Sequence, residues 1–361
     1  MPICRNICLL FILLYVFVVQ AQSDKQAYMD MVEKFGDTVQ KLKEEKNKFL
    51  PVALPITEPA VGYGLTAGLL YFFQKKDTAQ TADMAAGVGG ITTNGTWFAG
   101  GGYLGYWKND RIRYSGFAGY GHINLDYYGF GGQPVAFSQD VAFLLQQLKF
   151  RLGNGGFFAG GKIQISKITI PIEGENFDPE DLDIWNNSVG ALVEYDKLNN
   201  TLSPTKGLKM HLGYDQILEV LGSQRDWGRL KFYMHWYFPI NEIWEPALRF
   251  EFLTATGRPP FYAYPYVSLR GIPAMRYQAQ SVLVAETQQL FNLTDRWGVV
   301  GFTGLGTTLS SVDKNIKNEV VWNAGGGVRF LAIRSLGLKV GADMARGPEE
   351  WAFYFSVGSN W

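Results

Sequence analysis

The chain has 361 residues, and its 33 Lys and Arg balance its 33 Asp and Glu, so net charge gives no pull toward nucleic acid or an acidic partner. Glycine at 42 residues and aromatics at 15% exceed ordinary globular usage, and apolar residues alternate rather than cluster at helical spacing. Both cysteines, Cys4 and Cys8, fall within residues 1–21, which excludes disulfide, thiolate-metal and cysteine-nucleophile chemistry from the remainder.

Residues 1–21 read as a secretory signal peptide: Arg5 precedes an apolar run from Ile7 to Val19, and Val19-Gln20-Ala21 fits a small-x-small cleavage site. No later run approaches the roughly 18 apolar residues that a spanning helix needs. Residues 22–48 are rich in Lys and Glu and place Tyr28, Met31, Val32, Phe35, Val39 and Leu42 at helical spacing. That spacing predicts one amphipathic helix, either a solvated periplasmic extension or a segment that packs into a barrel mouth or on a partner.

Residues 49–361 break into segments of about ten or more residues separated by turn chemistry, as tilted membrane strands should. The first, Phe49 to Thr57, contains Pro51 and Pro55, with Pro59 beyond it on the same parity, so the missing N–H donors share one edge. Such a strand belongs at a border of its sheet. Further along, Val189, Ala191, Val193 and Tyr195 oppose Glu194 and Asp196. Leu208, Met210 and Leu212 oppose Lys209 and His211, and Leu230, Phe232, Met234 and Trp236 oppose Arg229, Lys231, Tyr233 and His235. Charge collects on the face away from the oil, whereas a soluble sandwich would bury its apolar face and expose charge.

In the closing stretch, Phe353, Phe355, Val357 and Trp361 share the parity of Trp351, against Ala352, Tyr354, Ser356 and Asn360. This reads as a C-terminal strand signal running to Trp361. The fold class that follows is all-β, a transmembrane antiparallel β-barrel of about 16 strands after a short helix, weakly zipped between its first and last strands. Both ends then face the periplasm, and the long segment Arg258 to Gln278 lies outside.

Tyr195-Asp196 followed by Leu202-Ser203-Pro204-Thr205-Lys206-Gly207 resembles the strand-turn-strand signature of the BamA/TamA family of outer-membrane assembly barrels, also called bacterial surface antigen barrels. Its marks are Asp196, Pro204, Thr205 and Gly207. Leu269-Arg270-Gly271-Ile272 is similar to that family's (V/I)RG(F/Y) loop motif, and Gly325 to Trp361, with Arg329, Gly337 and Asp343, to its closing strands. The match is fairly specific over residues 195–361 and looser over 50–194.

The resemblance implies that the long outer loop folds back into the bore and that carboxylates hold Arg270 there, with Glu286 and Asp343 as candidates. A guanidinium in a partly dehydrated bore needs a planar acceptor, which a carboxylate supplies. The alternative reading of Arg270 is a solvated loop residue. Two departures stand out. Gly304 stands in Phe302-Thr303-Gly304-Leu305-Gly306 where the resemblance predicts an acid, and residues 22–48 offer only a helix where protein-handling members carry POTRA domains.

The implied function is insertion or translocation of proteins at the cell outer membrane, through a first-to-last-strand seam that opens sideways. Outer-membrane lipid is then the surrounding partner, and separate periplasmic or surface proteins supply client capture. A passive channel or structural barrel is the alternative. Lys149, Arg151, Lys162, Lys209, Arg229, Lys231, Arg249 and Arg329, with Glu194, Glu251, Glu286 and Asp343, would line the bore, a mixture that suits a hydrated passage or a salt-bridged plug. His122, His211 and His235 lie on different strands without a partner at hydrolase spacing, so no enzyme, metal or cofactor is expected. Trp97, Trp107, Trp185, Trp227, Trp236 and Trp244 read as an interfacial girdle or loop anchors.

Overall fold

The computed structural model describes residues 49–57, 60–73, 82–127, 135–170, 183–309, 318–334, 337–359 and 361. The expected signal peptide and amphipathic helix lie outside the described residues. The strands are β1 (Phe49–Ile56), β2 (Gly64–Phe73), β3 (Asp83–Thr92), β4 (Trp97–Trp107), β5 (Ile112–Tyr127), β6 (Val135–Arg151), β7 (Phe157–Thr169), β8 (Asp183–Trp185) and β9 (Ser188–Asp196). They continue as β10 (Gly207–Ile217), β11 (Trp227–Tyr237), β12 (Trp244–Gly257), β13 (Ser281–Asn292), β14 (Trp297–Leu309), β15 (Val320–Ile333), β16 (Leu338–Arg346) and β17 (Trp351–Val357).

All pairing is antiparallel between neighbours in the chain. β8 and β9 both pair with β7 and are parted only by Asn186 and Asn187, so they are halves of one stave in a wall of sixteen. Between β17 and β1 no ladder forms among the described residues, and a side chain bridges instead, the Thr57 hydroxyl donating to the Phe353 carbonyl oxygen. β1 spends its full length on β2, from Phe49 opposite Tyr71 to Ile56 opposite Gly64. Alternate N–H groups of a strand point to the same edge, so a complete ladder on the β2 side fits Pro51 and Pro55 leaving the other edge short of donors.

Large apolar side chains, Ile163, Val193, Leu212, Leu305, Phe353 and Phe355 among them, are exposed on the outer wall, while Lys149, Glu194, Glu251, Glu286, Arg329 and Asp343 are buried. A water-soluble protein distributes these classes the other way round. The wall is that of a transmembrane barrel, with an apolar exterior and, among the described residues, backbone groups paired between staves everywhere but at the β17/β1 junction.

The connection after β12 turns into the bore. Val267, Leu269, Ile272, Tyr277 and Ala279 pack against inward-facing Val282, Val284 and Val321 as one apolar cluster. The loop satisfies its own backbone, as a buried segment must: the Val267 N–H donates to the Tyr277 oxygen and the Ala279 N–H to the Pro265 oxygen, each at 3.0 Å.

Two expectations need correction. β17 stops at Val357, and Trp361 does not continue its lipid-facing row. Gly358 adopts a φ of +89°, its N–H donates to the Lys339 oxygen at 2.7 Å, and the Ser359 N–H donates to the Leu202 oxygen at 2.7 Å, which turns the chain inward. Trp227 is buried at the start of β11, whereas the other five tryptophans expected in the girdle are exposed.

Candidate functional site

Arg270 sits where four inner-wall strands converge. Its Nε and Nη2 donate to Glu286 Oε1 at 3.2 and 3.0 Å, and its Nη1 donates to Asp343 Oδ2 at 2.8 Å. The guanidinium carbon lies 3.4 Å from the Phe302 ring centroid, a cation–π contact in a desolvated setting. Asp343 also receives Arg329 Nη1 and Nη2 at 2.5 and 2.9 Å, and Arg249 stands 3.5 Å from Glu286. Glu286 comes from β13, Phe302 from β14, Arg329 from β15 and Asp343 from β16, each at inward parity. Because both carboxylates are buried, loss of either would strand a guanidinium at a cost of about 3–5 kcal/mol.

The structure brings Leu269, Arg270, Gly271 and Ile272 together with both candidate carboxylates, and it gives Gly304 a physical reason. A Cβ at Gly304 would stand 2.8 Å from Asn323 Oδ1, 2.9 Å from the Ala285 oxygen and 3.0 Å from Leu269 Cδ2, so there is no room for an acid. Asn323, fully buried, occupies that space from the next strand and donates to Glu286 Oε1 at 3.1 Å and to the Arg270 carbonyl at 3.0 Å. Sequence reasoning missed Asn323. The register that sets Gly304 between Glu286 and Asn323 would have found it, but register is not written in any one strand.

Gly271 anchors the loop tip by backbone approach. It has a φ of +84°, its N–H donates to the Tyr354 hydroxyl at 2.8 Å, and a Cβ there would lie 2.7 Å from the Gly347 nitrogen. A second clasp lies beside it in the outer turn between β16 and β17. Arg276 Nε donates to Glu349 Oε1 and Oε2 at 2.8 and 3.0 Å, and the Tyr277 hydroxyl donates to Oε1 at 2.7 Å. The Arg276 hydrogen bonds hold the Glu349 carboxyl below the usual carboxylate range.

Trp361 enters the bore from below. Its Nε1 donates to Glu286 Oε2 at 2.8 Å, so one carboxylate holds the outer loop with one oxygen and the chain's final residue with the other. Its ring lies 6.0 Å from His235, which continues a ladder through Tyr233 to His211 at 4.9 Å per step. Cavities of about 610 and 500 Å³ flank this ladder between the wall and the inserted loop. Around them Lys162 meets Asp215 at 2.6 Å, Lys149 meets Glu194 at 2.6 Å, and Arg249 meets Glu251 at 2.5 Å. The charges that face the bore are thus paired with one another along the wall.

The turn after β9 is the other motif-bearing element. Asn199 Oδ1 accepts the N–H groups of Thr205 and Lys206, both at 3.0 Å, and Asn200 Oδ1 accepts those of Leu202 and Ser203 at 2.7 and 2.9 Å. Asp196 accepts Leu198 N–H at 3.1 Å and Arg113 Nη1 at 2.5 Å, while Thr205 Oγ1 accepts Asn199 Nδ2 at 2.9 Å. Gly207 closes the turn at a φ of +118°, and Pro204 is half-buried within it. Asn199 and Asn200 were not singled out in the sequence, although Asn side chains are the usual way to satisfy turn N–H groups.

A model of the Omp85 superfamily domain matches residues 53–264. No curated protein sequence matches the chain. Among solved structures, BamA from Haemophilus ducreyi lacking POTRA domains 1-3 aligns at a TM-score of 0.56 and 14% identity, covering 86% of this chain and 69% of that one. CdiB from Acinetobacter baumannii aligns at 0.60 and 10% identity, and CdiB from Escherichia coli at 0.62 and 12%. Each CdiB match covers 86% of this chain, but the chain spans only 59% and 62% of the respective CdiB chains.

Proposed function

Because the chain belongs to the Omp85 superfamily, we propose that it works in the outer membrane as an assembly barrel of the BamA/TamA type, inserting or translocating proteins through its first-to-last-strand seam. The observation that carries this reading is the β1/β17 junction, where two strand edges meet without a ladder. Unpaired N–H and C=O groups on a strand edge template a further strand, and a seam held by few contacts opens at low cost. The inserted loop with Arg270 braces the wall of β13 to β16 meanwhile. Outer-membrane lipid surrounds the barrel, separate periplasmic or surface proteins bring the client, and no catalytic step is included.

The test is a reconstitution. Purified barrel in liposomes should accelerate folding of an unfolded outer-membrane client over empty liposomes. A disulfide between Thr57→Cys and Phe353→Cys should abolish the gain until reductant restores it. Undiminished insertion with the seam locked would remove the lateral mechanism, and a steady ohmic conductance without insertion would assign the chain to passive channels.

A further inference from the structure

The turn between β9 and β10 belongs to staves on the far side of the cylinder from the seam, yet its tip does not stay there. Leu202 packs into a small apolar core built by Leu50 of β1, Ile333 of β15 and Leu338 of β16, with Val52 and Val357 around it. The neighbouring Ser203 hydroxyl is buried and accepts the Lys339 N–H of β16 at 3.0 Å. The Leu202 carbonyl accepts the Ser359 N–H just beyond β17 at 2.7 Å, and Ser359 Oγ lies 2.9 Å from the Tyr237 hydroxyl of β11. The turn thus joins an apolar cluster that includes Leu50 of β1 and Val357 of β17, and it accepts hydrogen bonds from β16 and from the tail after β17. Side-chain caps from Asp196, Asn199 and Asn200 satisfy N–H groups within the turn and hold its conformation.

We propose that this turn is a strap holding the seam shut from the opposite wall, with Leu202 as its positioning residue. The role rests on the seam being the working element. The physical case is that β1 and β17 lack a mutual ladder, so another set of contacts must hold them together. Leu202, packed in the apolar cluster that Leu50 and Val357 share, with its carbonyl and the Ser203 hydroxyl accepting the N–H groups of Ser359 and Lys339, supplies that set from one turn. The outward side chains of Lys197, Asn199, Thr201 and Lys206 are exposed on the solvent side of the strap, where a force from the periplasm would act.

The full chain in planar bilayers tests this without any client. Leu202→Asp should raise the frequency of transient openings by about tenfold, because a carboxylate in place of a half-buried leucine loses the apolar contact and faces an apolar cluster. Leu202→Met should behave as the parent. The Thr57→Cys and Phe353→Cys disulfide should suppress the new openings, and reductant should return them. Openings that persist through the locked seam would place the leak in the bore and overturn the proposal, as would a parent-like frequency in folded Leu202→Asp. If that variant does not reach the heat-modifiable folded form, Leu202→Ala with Ser203→Ala removes the Leu202 apolar contact and the Ser203 acceptor for Lys339 without burying charge. It should raise the frequency about threefold or more, by the same equilibrium argument, and parent-like behaviour there overturns the strap. Failure of client insertion with strap-dependent openings intact would remove the assembly reading alone.

Discussion

The wall from β11 to β16 and the seam between β17 and β1 share one strand geometry but cohere by different means. Along the wall, ladders run the length of each pair and charges alternate inward, from Lys231 and Glu251 through Arg249 and Glu286 to Arg270, Asp343 and Arg329. At the seam the lumenal side is apolar, with Leu50, Val52, Leu70, Phe72 and Leu202 in one cluster, and no β1/β17 ladder forms among the described residues. Directional, mutually dependent bonds make the wall stiff, because removing one partner strands the others. Apolar contacts without a ladder are non-directional, so they can part and re-form more readily than a hydrogen-bonded network.

The largest break in that contrast should come from Glu286→Ala, which removes the acceptor shared by Arg270, Asn323 and Trp361. Unfolding stability in detergent should fall by about 3–5 kcal/mol, and protease should begin to cut within residues 258–280. A parent-like unfolding midpoint with an uncut loop would show that the cluster is ornamental. Next in size is Gly304→Asp, which installs the acid that the family resemblance led one to expect. Overpacking against Asn323, the Ala285 backbone and Leu269 should cost about 1–3 kcal/mol, whereas unchanged stability would mean that the loop has slack at Leu269.

Sharpening the contrast from the other side, Pro51→Ala with Pro55→Ala restores donors to β1. Slower hydrogen exchange is expected across residues 351–357, by about tenfold for each 1.4 kcal/mol of added pairing. Exchange as fast as in the parent would show that the seam is open for reasons other than missing donors. The smallest effect concerns pH. Glu349 is held below its ordinary value of 4.5 by Arg276, so the clasp contributes above pH 4.5 and is lost as pH falls through the lower folded value. Cleavage within residues 273–280 should therefore rise as pH falls below 4.5, while Glu349→Gln should flatten the dependence. A rise of equal size in that variant would assign the acid sensitivity elsewhere.

The strand period, the inward charges and the proline-marked first strand could all be read from the chain, because side-chain direction in a strand is set by local parity. Arg270, Glu286 and Asp343 were legible for the same reason together with the loop motif. Asn323 and the fit of Gly304 were not, because they depend on register between separate strands, which local alternation leaves free.

The sequence alone therefore determined that this is a barrel with oil outside, charge inside and a donor-poor border strand. Only the tertiary structure decided that Trp361 leaves the lipid-facing row to share Glu286 with Arg270, and that Leu202 crosses the mouth to the seam. Parity is a property of neighbouring residues, whereas closure of the cylinder sets which distant staves face one another, and no single strand encodes that.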